Sequence, residues 1–405
     1  MNEKILKIAY KMPPQENWNR FRDEKQSNPN FITEEHYKNI VDAGFTHGMG
    51  LLEHGSDIAE RALAVAEKVG LKYYVRDAVN WANILHPDYY YYNAENYKKY
   101  QKYSSFAGLY LCDEPNSNKY DDLAKMVKGY FGFFEKGEPL VNLLPTYANC
   151  VEQLGEPSYE DYIENFAKKV PLDYVMYDHY PFRVKNKTED YRTDDYLYNC
   201  SVVAKACKKH GKKLRTFVQS SVVDLGKTEF LPKMLDYQIH VHLAFGSTAL
   251  LYYFYWGDEE DNERSGIVDW NGNPTALYFG VKQIHQKISN YESLLLACAW
   301  QKGEFVKGEK QTFTQEDLSK VDVHGGDIVT SEYDGVLGSF DYQGDEAFYL
   351  VNYTEPKLNL SNTFKINLKT DYVAWINGEK TQLKKGEDKI VLPSCAGAFL
   401  MPKKD

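Results

Sequence analysis

The chain has 405 residues, 43% of them hydrophobic and 26% charged, which excludes the disordered, collagen-like and low-complexity classes. Its formal charge of −10 at neutral pH repels phosphate backbones and anionic lipids, so neither nucleic acid nor a membrane surface is an expected partner. No apolar run approaches the roughly 18 to 20 residues of a membrane span and residues 1–10 lack a signal-peptide apolar stretch, so a soluble, cytoplasmic protein is expected.

From residue 5 to about 257 the chain alternates short β-branched or aromatic runs with segments of helical period, the pattern of a parallel α/β fold. The first strand is predicted at 7–11, followed by a helix from Thr33, whose Thr-Glu-Glu start supplies an N-cap and an acidic first turn. The second strand is the short 46–50, and a helix runs from Ser56 to Gly70 with Ile58, Ala62, Val65 and Val69 on one face. The third strand is 72–77, a Tyr-rich helical stretch covers 94–103, and the fourth strand, 108–112, runs into Asp113-Glu114-Pro115. A helix over 120–134 leads to a fifth strand at 139–144, a helix begins at Ser158, and the sixth strand is 173–177. A helix around 200–209 precedes the seventh strand, 214–219, and a helix over 231–245 feeds the eighth, 249–256.

Eight β/α units in about 250 residues match a closed (β/α)8 TIM barrel, in which active sites are built at the carboxyl ends of the strands. A doubly wound open sheet is the competing architecture, but no Gly-x-Gly-x-x-Gly or Walker-type loop follows any strand. After a helix at 275–289 the texture changes to short alternating strands at 335–341, 347–353, 363–368, 372–376, 390–392 and 398–401, with turn signals at Asn377-Gly378 and Gly344-Asp345. The organisation expected is a catalytic barrel over 1–295 followed by a small antiparallel, β-sandwich-like C-terminal domain over 300–405, a structural cap or a sugar-binding module.

The six cysteines contain no CxxC pair and read as buried thiols in a reducing compartment. The 34 tyrosines suit both a core and a carbohydrate surface, since each combines an apolar face with a polar tip.

The strongest chemical signal is Gly-Leu-Tyr-Leu-Cys-Asp-Glu-Pro at 108–115. A strand ending in two carboxylates and Pro places Glu114 at a barrel mouth, where partial desolvation raises a carboxyl pKa and makes it a proton donor. The alternative is that Asp113 and Glu114 cap the next helix or bind a neighbouring Arg. The sixth strand repeats the logic with Asp178-His179-Tyr180-Pro181, the third ends in Arg76-Asp77, the second carries His47, and the eighth ends in Tyr255-Trp256. His47 is as readily a structural histidine, and Tyr252 and Phe254 are expected to fill the barrel. The only His-x-His, His240 and His242, falls in a predicted helix where i and i+2 point apart, and no metal or other cofactor is expected. No Gly-x-Ser-x-Gly elbow is present, which leaves glycoside cleavage by two carboxyl groups as the best reaction class.

Taken together, Asp-Glu-Pro at 113–115, Tyr-Asp-His-Tyr-Pro-Phe at 177–182, Leu-Ala-Phe-Gly at 243–246 before 250–256, and Gly-Ile-Val-Asp-Trp-Asn-Gly-Asn-Pro-Thr at 266–275 resemble the β-galactosidase-like (β/α)8 glycoside hydrolases of clan A. The resemblance covers about residues 5–290 and implies that Glu114 is the acid/base, with Asp113 replacing the usual Asn. It also implies a nucleophilic Glu at the end of the seventh strand, where this chain has Gln219. An amide cannot form a glycosyl ester. Either the second carboxylate lies elsewhere, with Asp178 leading, or this branch pairs Glu114 with Asp178, or the protein is inactive. The expected reaction is hydrolysis of a small, β-galactoside-type oligosaccharide, with Glu114 as proton donor and Asp178 as second carboxylate. Asp113, Arg76, Asp77, His47, His179 and Gln219 would bind hydroxyls, and Tyr180, Tyr255 and Trp256 would form the stacking surface. A silent glycan-binding barrel, or a lyase or transglycosidase using the same pocket, is the alternative.

Overall fold

The computed structural model describes residues 3–17, 28–50, 56–76, 97–185, 189–221, 231–257, 266–310 and 316–404. Eight parallel strands form the expected ring: β1 (Leu6–Tyr10), β2 (His47–Met49), β3 (Lys72–Val75), β4 (Phe106–Asp113), β5 (Glu138–Asn142), β6 (Tyr174–Tyr177), β7 (Lys213–Gln219) and β8 (Ser247–Tyr253). They are hydrogen-bonded in the order β5-β4-β3-β2-β1-β8-β7-β6. The ring closes through a bridge from Leu143 to Tyr177, where the Leu143 amide donates to the Met176 carbonyl at 3.0 Å. Closure leaves no strand edge in need of cover.

The surrounding helices are α1 (Glu34–Asp42), α2 (Ser56–Val69), α3 (Tyr120–Phe133), α4 (Tyr159–Lys169), α5 (Tyr196–His210), α6 (Pro232–Ala244), α7 (Ala276–Ser289) and the short α8 (Glu292–Leu296). Capping sets their starts: the Thr33, Ser158 and Thr275 side chains accept from the amides of His36, Asp161 and Leu277. At the end of α5, Gly211 takes the left-handed φ of 63° and turns its amide back onto the carbonyls of Cys207 and Lys208. An unanticipated short hairpin, Phe182–Lys185 with Glu189–Arg192, follows β6. No helix among the described residues is long and apolar enough to cross a membrane.

The chain continues as β9 (Ala299–Val306), β10 (Val329–Ser331), β11 (Gly335–Tyr342), β12 (Asp345–Asn352), β13 (Asn362–Leu368), β14 (Tyr372–Ile376), β15 (Glu379–Leu383), β16 (Gly386–Leu392) and β17 (Gly397–Pro402). These make one six-stranded sheet, β9-β11-β12-β17-β14-β15, and one three-stranded sheet, β10-β13-β16. Both sheets contribute to a second core that includes Leu337, Leu350, Phe364, Ile366, Ala398 and Leu400. Asn377 and Gly378, with φ of 48° and 85°, make the β14–β15 turn. The β11–β12 turn is Gln343-Gly344 rather than the expected Gly344-Asp345, and Asp345 opens β12.

Helix α6 joins the two parts. It is buried on every side from Tyr237 to Ala244, because the barrel packs on one face and the β12 sheet on the other. His240 points to that sheet, its Nδ1 2.8 Å from the Tyr349 hydroxyl, while the Nε2 of His242 lies 3.2 Å from the Tyr196 hydroxyl on α5. The two imidazoles thus diverge, as their spacing requires.

At the amino-terminal end of the barrel, Arg215 on β7 forms a two-pronged ion pair with Glu138 on β5, at 2.8 and 3.0 Å. The Tyr74 hydroxyl donates to the same carboxylate at 2.6 Å, and the guanidinium lies 3.8 Å from the Tyr174 ring centre. His47 belongs to this layer, stacked on Tyr74 at 5.5 Å, with its pKa lowered to about 4, chiefly by burial. It opens β2 instead of ending it, so it does not reach the mouth as expected of a hydroxyl ligand.

Removing Glu138 leaves a buried guanidinium without its counter-charge. Glu138→Gln is expected to cost roughly 3 kcal/mol of stability by urea unfolding, with most of the loss recovered in Glu138→Leu/Arg215→Met. A stability within error of the native chain would contradict this account.

Candidate functional site

The opposite end of the barrel gathers the acidic residues. β4 carries a bulge: Tyr110 faces Leu140 and Cys112 faces Val141, so Leu111 is an extra residue in that strand. Strict alternation would put Tyr110 and Asp113 on opposite faces. With the bulge they share one, and the Tyr110 hydroxyl donates to Asp113 Oδ1 at 2.5 Å. Glu114 then adopts a left-handed φ of 51°, its amide donating to the Asn142 carbonyl at 2.8 Å, and Pro115 ends the strand. A bulge and a left-handed residue at a strand end are devices that re-aim side chains at functional sites.

Arg76, directly after β3, is the cation of this end. It donates to the Tyr10 hydroxyl at 2.7 Å, lies 3.5 Å from Asp113 Oδ2 and sits 4.7 Å from the Tyr110 ring centre. Asn142, the last residue of β5, reaches Asp113 Oδ1 at 3.4 Å. Asp178, directly after β6, faces the same space and is only 6% exposed. Burial first, then the charges of Glu114 and Asp113, push its carboxyl well above the usual range, against hydrogen bonds from Asn142 and Tyr180. Its Oδ1 meets no donor among the described residues. Glu114 opens to solvent at the mouth yet is crowded by protein, and burial together with the Asp113 charge raises its pKa to about 7.

The structure therefore brings together Arg76, Asp113, Glu114, Asp178 and Tyr180. Tyr180 stacks at 4.9 Å on Tyr253, which in turn stacks on Tyr10 at 5.6 Å. Two expected ligands are turned elsewhere. The Gln219 amide is buried and occupied: Nε2 donates to the carbonyls of Phe182 and Ser221 at 2.7 and 3.0 Å, and Oε1 accepts from the Phe182 amide at 3.0 Å. It pins the turn after β6 to β7 and offers no free atom to a sugar. His179 alternates outward from Asp178, fully buried, with Nε2 3.0 Å from Asp195 Oδ1. Asp77 lies outside the described residues.

The expected stacking pair is also displaced. Tyr255 is buried edge-on against Phe45 in the helix layer, and Trp256, 1% exposed, is wedged against Phe31 at 4.9 Å and His36 at 5.2 Å. Tyr252, expected to fill the barrel, faces outward instead, its hydroxyl 2.7 Å from His285 on α7. Tyr253 is the inward residue, against Tyr10 and Tyr180, one residue out of step with the anticipated alternation. Sequence reasoning missed Tyr10, Tyr110, Asn142 and Tyr253. Tyr10 and Asn142 end the first and fifth barrel strands, a position that could have marked them. Tyr110 faces the mouth only through the bulge.

No protein-family profile and no curated protein matches the sequence. Among solved structures, the chain is similar to the Anoxybacillus α-amylase described as a new glycosyl hydrolase subclass, at 12% identity over 99% of this chain and 98% of that one, with a TM-score of 0.55. It is similar to the cold-adapted β-galactosidase of Rahnella sp. R3, at 10% identity over 76% of this chain and 58% of that one, TM-score 0.53. It is also similar to the β-galactosidase of the psychrophilic Marinomonas ef1, at 8% identity over 73% and 62%, TM-score 0.51. At these identities the likeness is one of fold. The chain spans about three-fifths of the length of the two β-galactosidases.

Because Gln219 donates to two carbonyls, a carboxylate there would set oxygen against oxygen in a dry site. Gln219→Glu is expected to lose roughly 2 kcal/mol of stability by urea unfolding without raising turnover on aryl glycosides. A stable variant with increased turnover would return this position to the catalytic set.

Proposed function

We propose that this protein is a glycoside hydrolase whose carboxyl pair is Glu114 and Asp178, acting on a small oligosaccharide of the β-galactoside type. The observation that carries the reading is the convergence of two carboxyls with raised pKa on one barrel mouth, beside Asp113 and the buried cation Arg76. Arg76 offsets the charge of Asp113. Glu114 and Asp178 then crowd each other, so the first proton to leave the pair produces one carboxylate and one neutral acid in the same space. That charge state is what hydrolysis of an acetal requires. Glu114, open to the mouth, delivers its proton to the departing glycosidic oxygen. Asp178 stabilises the positive charge developing at the anomeric carbon and directs either its own oxygen or a water to that carbon. Asp113, held by Arg76, Tyr110 and Asn142, is placed to accept a hydrogen bond from a sugar hydroxyl. The galactoside preference rests on the motif resemblance.

A second reading exchanges the two roles, and the deeper burial of Asp178 favours it, since burial holds a proton on a carboxyl.

Removing the acid or its partner is expected to lower kcat/KM on nitrophenyl glycosides by roughly 100- to 10,000-fold. On a dinitrophenyl glycoside, whose leaving group needs no proton, Glu114→Gln retains turnover and Asp178→Asn does not; the reverse pattern assigns the exchanged roles. Full activity of both variants would remove the pair. Since the donor must be protonated and Glu114 titrates near 7, kcat/KM is expected to fall as pH rises through about 7. An unchanged rate up to pH 9 would exclude Glu114 as donor. Oligosaccharide binding without product would leave a silent carbohydrate-binding barrel.

A further inference from the structure

We infer that Tyr147, on the loop after β5, is a stacking platform for a second sugar ring of the substrate, held in place by a polar chain of Thr146, Asp195 and His179. The inference rests on the carbohydrate reading of the mouth and assigns a subsite within it.

Tyr147 is 42% exposed beside the carboxyl cluster, so its ring is open to solvent at the mouth. Its hydroxyl accepts from the Tyr180 amide at 3.3 Å, which ties it to the turn that carries Asp178. The charges of Asp178 and Glu114 both act on its phenol, as they must if it borders the carboxyl pair. The Arg183 guanidinium lies 5.0 Å from the ring centre, and the His179 imidazole meets the ring at 5.0 Å and 60°. Ring orientation is thus fixed by packing.

What fixes His179, itself fully buried, is a part-buried polar chain. Its Nε2 donates to Asp195 Oδ1 at 3.0 Å, while Asp195 Oδ2 accepts from the Thr146 hydroxyl at 2.5 Å. Asn199 Oδ1 accepts the Thr146 amide at 2.9 Å. The residue before Tyr147 is therefore anchored to α5 by the same carboxylate that orients the imidazole beneath the ring. A polar chain of this kind under a solvent-facing aromatic makes a preorganised apolar surface, against which the C–H face of a pyranose can pack while its hydroxyls stay in water. With Tyr255 and Trp256 buried elsewhere, Tyr147 is the exposed large aromatic that the described mouth presents. Asp195 and His179 are positioning residues.

The test is calorimetric titration of galactose and of a disaccharide panel (lactose, cellobiose, mannobiose) into the full chain and its Tyr147→Ala, Tyr147→Phe and Asp195→Asn variants. Tyr147→Ala is expected to weaken disaccharide binding roughly tenfold while changing galactose binding less than about twofold, and Tyr147→Phe to stay within about threefold of the native chain. Asp195→Asn should weaken the disaccharide more than galactose, which general loosening of the fold would not do. Disaccharide affinity unchanged in Tyr147→Ala, equal losses for both sugar sizes, or no disaccharide binding by the native chain would each overturn the inference. Disaccharide bound through Tyr147 but not cleaved would leave the platform standing and remove the hydrolase reading.

Discussion

Three carboxyls share one barrel mouth, and the buried guanidinium of Arg76 meets one of them, Asp113, at 3.5 Å, while burial and neighbouring charge hold Asp178 toward its neutral form. Arg76 is itself held by Tyr10 and packed on Tyr110, so the charge that offsets Asp113 is anchored on β1 and β4 as well as on β3. The offset is partial by design of the layout: it reaches Asp113 and leaves Glu114 and Asp178 facing each other. Raised pKa values at those two positions follow from burial first, then from the charge of Asp113 on both and of Glu114 on Asp178. The chemistry proposed for the mouth is a consequence of that uneven neutralisation.

The barrel separates two ionic layers that answer to different demands. At the amino-terminal end Arg215 and Glu138 meet with two short hydrogen bonds, and Tyr74 adds a third to the carboxylate, so the two charges are paired. At the carboxyl end Asp178 keeps an oxygen without a donor among the described residues, and Glu114 occupies a left-handed backbone position. An acceptor left open at the mouth is one that a bound hydroxyl completes. Tyrosine serves both layers and also the joint with the C-terminal sheets, where Tyr237 stacks on Tyr353 and the Tyr291 and Tyr349 hydroxyls meet at 2.7 Å. The abundance of Tyr thus reflects interior polar tips that find partners more than a carbohydrate surface.

Strand and helix periods, Thr and Ser caps and turn pairs were local properties, so the eight barrel strands, the antiparallel segment after them and the carboxylates at the ends of the fourth and sixth strands could be read in chain order, whereas the helix expected over 94–103 is, in its described part, a 3-10 turn at Lys98–Lys102. β9, β10 and β15 escaped; β10 has only three residues, and four of the five side chains of β15 are exposed and polar. The divergence of His240 and His242 followed from helical spacing alone.

Which way each strand-end residue faces was decided only in three dimensions. An extra residue in β4 turned Tyr110 inward with Asp113, the alternation of β8 placed Tyr252 outward against His285, and a short β2 left His47 at the wrong end of the barrel for a ligand. Gln219 stands at a strand end as its motif suggests, yet the backbone of Phe182 and Ser221 consumes its amide, a contact between segments that no local pattern encodes. Residue type and strand order are written along the chain. Orientation depends on bulges, strand ends and neighbours far away in sequence, where a shift of one residue exchanges the inside of the barrel for the outside.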